Sequence, residues 1–161
     1  MTREITFSLN GAPLRVTPAQ GVSLLQTLRA RCGLTSLKDG CQPQGQCGAC
    51  VAIVNGHART TCMEPTTAVS GGEDLTLEGL PPEDRAQIVQ AFESAAAGQC
   101  GYCLPGIALH AHDFLAHHPS PSRADLAKGF DVHLCRCGGY SRILDAVGTL
   151  AKLRRKEDLP P

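Results

Sequence analysis

The chain has 161 residues, with 15 Lys and Arg balanced by 15 Asp and Glu. That length allows one or two small domains, and a net charge of zero argues against nucleic acid or an anionic membrane surface as a partner. No apolar run approaches the ~18 residues that would cross a bilayer, and the N-terminus lacks the apolar core of a secretory signal, so the expected location is the cytoplasm unless a partner carries the chain elsewhere.

In chain order, ITFSLNG (5–11) alternates and ends in an Asn-Gly turn signal, and PLRVTP (13–18) follows, which predicts a hairpin. SLLQTLRARCG (23–33) places Leu24, Leu25 and Leu28 at helical spacing, with Ser23 as N-cap and Gly33 as the stop. VAIVNG (51–56) and HARTTC (57–62) predict a second hairpin, and EDLTLEGL (73–80) a late strand. GLPPED (79–84) punctuates the chain. Beyond it, three stripes with i, i+4, i+7 and i+8 spacing predict helices: Ile88, Phe92, Ala95 and Ala96; Ile107, Ala111, Phe114 and Leu115; Ile143, Val147, Leu150 and Ala151. A short fourth helix is expected from Ser120, with Pro121 at its first position. The tail RRKEDLPP (154–161) is expected to be mobile or held by a partner. The fold class is therefore α+β, a strand-rich segment 1–80 followed by a helical segment 81–161. With four Phe, two Tyr and no Trp, the core is largely aliphatic.

Nine cysteines are the anomaly. An odd number argues against a disulfide framework, which a reducing cytosol would in any case keep open. Eight fall into two sets of four. The first, Cys41, Cys47, Cys50 and Cys62, reads C-x5-C-x2-C-x11-C around Gly40, Gly45 and Gly48. Three ligands on one wrapping loop with a fourth at a hairpin end resemble plant-type [2Fe–2S] ligation, and the glycines let amide N–H groups turn toward the sulfurs. The second set is C-x2-C, 31 residues, then C-x-C: Cys100, Cys103, Cys135 and Cys137. Both halves of it stand just before a predicted helix, where free N–H groups and partial positive charge favour anionic thiolates. Spacing alone leaves a four-cysteine zinc site open for either set. A Rieske centre is not indicated, because no Cys-x-His pair is present. His110, His112, His117 and His118 are read as solvated or capping, Cys32 as a buried structural thiol, and Asp39 as a loop hydrogen-bonder.

Together, LKDGC…GQCGACVAIVNG, QCGYCLPGIAL and LCRCGGYSRILDAV resemble the small iron–sulfur subunit of the molybdenum hydroxylases, the xanthine oxidase family, over nearly the whole chain. The resemblance implies a plant-ferredoxin-like β-grasp domain over 1–80 with a [2Fe–2S] cluster on Cys41, Cys47, Cys50 and Cys62. It implies a four-helix bundle over 81–161 with a second cluster on Cys100, Cys103, Cys135 and Cys137. Two departures stand out: five residues rather than four between Cys41 and Cys47, with Gln42, Pro43 and Gln44 expected to bulge outward, and Gly138 where the family usually has Thr.

The implied function is electron transfer. Substrate is hydroxylated at a molybdenum–pyranopterin centre in a large partner chain, and this chain passes the electrons singly through two clusters to FAD on a third subunit or to another acceptor. By the same resemblance Gln99 and Cys137 approach the pterin, loop 41–50 faces the acceptor, and the 99–106 and 133–140 segments face the molybdenum chain. Arg136, between two ligands, is suited to pair with a partner carboxylate. The chain carries no catalytic residues of its own, since no Ser/His/Asp constellation, Walker loop or strand-borne G-x-G-x-x-G is present. Two other readings are a free-standing diffusible ferredoxin, which the neutral charge disfavours, and a zinc-stabilised interaction module.

Overall fold

A computed structural model describes residues 4–157, with the side chains of 156 and 157 left aside. Five strands form one mixed sheet in the order β2-β1-β5-β3-β4, and five α-helices accompany it among the described residues. The hairpin β1 (Ile5–Leu9) and β2 (Ala12–Val16) turns through Asn10 and Gly11, with φ of 52° and 78°. The hairpin β3 (Val51–Val54) and β4 (His57–Thr60) turns through Asn55 and Gly56 at 51° and 81°. Both turns have φ > 0 at the two central residues, the combination whose twist matches that of paired strands. β5 (Glu73–Leu75) joins the hairpins, parallel to β1 and antiparallel to β3.

β5 is shorter than the strand expected over 73–80. The reason is Asn10: its Oδ1 accepts from the Thr76 amide at 2.8 Å and its Nδ2 donates to Thr76 Oγ1 at 3.0 Å. A hairpin-turn side chain thus replaces the next ladder bond, and the chain leaves the sheet as a 3-10 turn over Leu77–Gly79. α1 (Leu24–Ala30) starts at a Ser23–Gln26 capping box. It buries Leu24, Leu25 and Leu28 against Phe7, Leu9, Val16, Ala52 and Val54 on one sheet face.

α2 (Pro82–Ser94) begins earlier than the 84–97 stripe suggests, at a proline in its first turn, and stops sooner. Ala96 is not on the buried face. It is exposed at φ 46°, where its amide bonds Glu93 O and the Ala97 amide bonds Phe92 O, a Schellman closure that puts Ala97 in the core instead. α3 (Leu104–His117) and α5 (Tyr140–Glu157) bury the predicted stripes, except that Phe114 is half-exposed. α4 (Arg123–Gly129) starts two residues later than expected, because Ser122 forms a capping box with Asp125 and Pro121 lies before the cap. Residues 154–157 of the tail continue α5, and 158–161 lie outside the described residues.

α3 lies across the sheet face opposite α1. Ala52 and Val54 therefore pack toward α1, while Ile53 joins the core made by the helices. All four residues of β3 are buried for this reason, as an unbroken apolar run requires. The Ala58 amide donates to Asp113 of α3 at 2.9 Å and ties β4 to the same helix.

Candidate metal centres

All nine cysteines are unbridged. Four lie around the loop that follows α1. Cys41 is half-buried, and Cys47, Cys50 and Cys62 are buried. Gly45 and Gly48 are left-handed, with φ of 67° and 68°, so the backbone wraps inward over 41–50. A Cβ on Gly40 would stand 2.9 Å from Cys47 Sγ, so a side chain there would intrude on the thiols. The extra residues Gln42, Pro43 and Gln44 are exposed, as an outward bulge requires. Asp39 is a loop hydrogen-bonder: its carboxylate accepts from the Gln42 amide at 3.2 Å.

The thiols of this set associate in twos, Cys41 with Cys47 and Cys50 with Cys62, and Cys62 feels the charge of both Cys50 and Cys41. The Gln46 amide, aided by that of Gln44 at 3.4 Å, draws the Cys41 thiol down to about 7 against the effect of burial. Burial pushes Cys62 up to about 11 and raises Cys47. Backbone amides directed at a sulfur stabilise its anionic form, as the glycine-rich stretch predicts.

The second four come from two loops. Cys103 caps α3, and Cys135 and Cys137 precede α5. They too associate in twos, across the loops: Cys100 with Cys137, both exposed, and Cys103 with Cys135, both buried. The Tyr102 amide, then the Cys137 thiol, lower the Cys100 thiol; burial drives Cys103 up to about 12. The Gly139 amide donates to Cys135 Sγ at 3.3 Å, and the Cys135 amide donates to the Tyr140 hydroxyl at 2.9 Å. Gln99, exposed, donates from Nε2 to the Cys137 carbonyl at 3.3 Å and so spans the two loops. Gly138 has φ 72° with open space around it, so the departure from Thr relieves backbone strain as well as removing a hydroxyl.

Among the described residues no three or more His, Cys, Asp or Glu side chains converge on a point that would hold one metal ion. Thiols gathered in twos, each two within electrostatic reach of another two, fit a binuclear centre in which each iron takes two thiolates. A single tetrahedral ion calls for four at once.

Sequence reasoning missed the joint between the sets. The Leu134 amide donates to the Cys47 carbonyl at 3.1 Å, and the Tyr102 hydroxyl to the Asp39 carbonyl at 3.0 Å. A cleft of about 220 Å³ opens there, with Cys47 on one side, Cys100 and Cys103 on the other, and Tyr102, Leu134 and Arg136 at its walls. His110 is not a solvated surface residue. Its Nδ1 lies 2.8 Å from Nε2 of the buried His133, and its ring stacks on Phe130 at 4.8 Å. Burial, then the neighbouring His110, pushes His133 down to about 3. His112 is also held inside, 2.8 Å from an Arg154 guanidinium nitrogen, while His117 stacks on His57 at the surface. The only signal was His110 beside an apolar stripe and His133 two places before a cysteine. Cys32 is half-buried at the edge of the core beneath α1, where burial raises its thiol.

A family model described as "[2Fe-2S] binding domain" matches residues 76–148. Isoquinoline 1-oxidoreductase subunit alpha of Brevundimonas diminuta is 38% identical over 149 residues, 92% of this chain and 97% of that protein. The xanthine dehydrogenase iron-sulfur-binding subunit of Escherichia coli O157:H7 is 34% identical over 149 residues, 91% and 92% of the two chains. Among solved structures, quinoline 2-oxidoreductase from Pseudomonas putida 86 superposes with a TM-score of 0.88 at 31% identity, covering 98% of this chain and 99% of that one. With relatives of 38% and 34% identity that match it over nearly their whole length, the chain belongs to the small iron–sulfur subunits of the xanthine oxidase, or molybdenum hydroxylase, family of oxidoreductases.

Proposed function

We propose that this subunit holds two [2Fe–2S] clusters, one on Cys41, Cys47, Cys50 and Cys62 and one on Cys100, Cys103, Cys135 and Cys137. We further propose that it carries electrons from a molybdenum–pyranopterin centre in a large partner chain to FAD on another subunit, or to another acceptor. The observation that carries this reading is that both thiol quartets, gathered in twos, open on one cleft and are joined by the Leu134–Cys47 backbone hydrogen bond. On this reading residues 1–80 are a ferredoxin-like β-grasp domain and 81–161 a helical bundle domain. The strand order, with α1 on one face, supports the first, and the separate core of α2 to α5 supports the second.

Bound at these thiols, a [2Fe–2S] cluster supplies one-electron storage. The chain's own residues do the rest. Amides of Gln44, Gln46, Tyr102 and Gly139 meet the sulfurs and favour added negative charge. Buried Cys47, Cys50, Cys62, Cys103 and Cys135 keep water from the inner edges of both quartets. Exposed Cys100 and Cys137 give the second quartet an outer edge that a partner can cover, and Gln99 stands there with an amide suited to a heterocycle's polar edge. Gln99 and Cys137 are therefore assigned to the pterin side, and the exposed 42–44 bulge to the acceptor side.

Relatives of the same length are subunits by name, which speaks against a free-standing ferredoxin. No described helix is long and apolar enough to cross a membrane, and a cytoplasmic complex is proposed. Metal analysis and EPR of oxygen-protected material decide the matter. About four irons per chain and two distinct [2Fe–2S] signals are expected; zinc, or about two irons and one signal, refutes the two-cluster assignment.

A further inference from the structure

His133 stands where three segments meet. On its own loop it is two residues from Cys135. On one side its Nε2 lies 2.8 Å from His110 Nδ1, halfway along α3, and both rings pack on Phe130, at 5.9 and 4.8 Å between centroids. On the other side its Nδ1 abuts Gly48, between Cys47 and Cys50: a Cβ added to Gly48 would come within 2.2 Å of that atom. Gly48 is also pressed from α3, because a Cβ on Gly106 would stand 2.4 Å from the Gly48 carbonyl oxygen. The first thiol loop is thus wedged between a helix backbone and the His133 ring. One residue on, the Leu134 amide bonds Cys47 O at 3.1 Å.

We propose that His133 is a positioning residue that fixes the separation and relative tilt of the two thiol quartets, and through them the electronic coupling of the clusters they hold. The proposal rests on the two-cluster reading above. The Leu134–Cys47 and Tyr102–Asp39 hydrogen bonds tie the two sets at two points. The His133 ring adds a third, packed contact at Gly48, and a close-packed interior transmits displacement rather than absorbing it. An aliphatic side chain would fill part of the volume, but the hydrogen bond to His110 sets the plane of the ring. His133 is 4% exposed and its Nδ1 has no hydrogen-bond partner among the described residues, so what the ring presents to Gly48 is its shape. Distance matters because a small misplacement of reacting groups slows a step severalfold or more.

The test uses the assembled complex with His133→Ala and His110→Ala. Three quantities are read: iron per chain, spin–spin broadening between the two reduced clusters in frozen-solution EPR, and the rate at which electrons entering at one cluster appear at the other. In wild type, about four irons and mutual broadening are expected. His133→Ala should retain the irons while the broadening changes and intercluster transfer slows severalfold. His110→Ala, which removes the hydrogen bond and the ring stacked on Phe130 but leaves the His133 ring against Gly48, should shift both in the same direction by less. Full iron with broadening and rate unchanged in His133→Ala overturns the proposal. If that variant does not load, unchanged values in His110→Ala overturn it instead. About two irons in wild type would defeat the two-cluster reading itself, a separate outcome from the failure of His133.

Discussion

The two quartets reach the same pairing of thiols by different routes. In the sheet half, three cysteines share one ten-residue loop and the fourth follows a hairpin, so local backbone conformation does most of the gathering. In the helical half, two short loops more than thirty residues apart meet because the fold brings the starts of α3 and α5 together, where Gln99 bonds the Cys137 carbonyl and Cys103 meets Cys135. One site is written in the chain nearby, the other in the tertiary fold. The difference predicts which substitutions stay local and which spread.

The largest contrast is between Cys47→Ser and Cys103→Ser. Each should abolish one EPR signal and lower iron from about four to about two per chain. Because Cys103 and Cys135 are buried where the helices meet, loss of the second cluster should also loosen the bundle, lowering the thermal midpoint more than loss of the first. Equal midpoints would erase the distinction.

Next in size is a pair of glycines. Gly48→Ala must accept φ 68° and displace His133, a cost of about 2–4 kcal/mol. Gly138→Ala, at φ 72° in open space, should cost only about 1 kcal/mol. Denaturant midpoints of the two holo-variants measure the gap, and indistinguishable values would contradict the tight junction at Gly48.

The smallest effect is a pH dependence with opposite sense in the two halves. Asp74 on β5 is fully buried, with neither carboxylate oxygen hydrogen-bonded among the described residues; burial, then the charge of Glu64, pushes it up to about 7. Its folded pKa lies above the unfolded value of about 3.9, so the folded state holds the extra proton between the two. Stability from this group is full below about pH 4 and is lost as pH rises through about 7. Asp74→Asn should flatten that slope in a stability–pH series and leave the variant relatively more stable at pH 8. His110 in the helical half works the other way: burial lowers its pKa, so its contribution is full above about pH 6.5 and falls as pH drops. An unchanged slope in Asp74→Asn would show that the carboxylate is solvated.

Much of this was legible in the sequence, because the determinants are local. The Asn-Gly turns, the Ser23 cap and the helical stripes each depend on neighbours a few residues away. So do the glycines that let loop 41–50 turn its amides inward. Where reading failed, either a distant group intervened or a local cap formed one or two residues from the position that the residue types marked. Asn10 ended β5 at Leu75 by taking the bonds of Thr76, 66 residues away. The left-handed Ala96 closed α2 and handed its core place to Ala97, and the Ser122–Asp125 box delayed α4.

By itself the sequence determined the eight thiols, their division into fours and the elements that carry them, since ligand type, spacing and periodicity are properties of the chain. Only the tertiary structure decided how the fours stand to one another. It set α3 across the back of β3, buried Ile53 on the second face, and wedged Gly48 between Gly106 of α3 and the His133 ring that His110 holds. Those contacts join residues far apart in sequence, and their geometry is fixed by packing volume and hydrogen-bond direction rather than by local pattern.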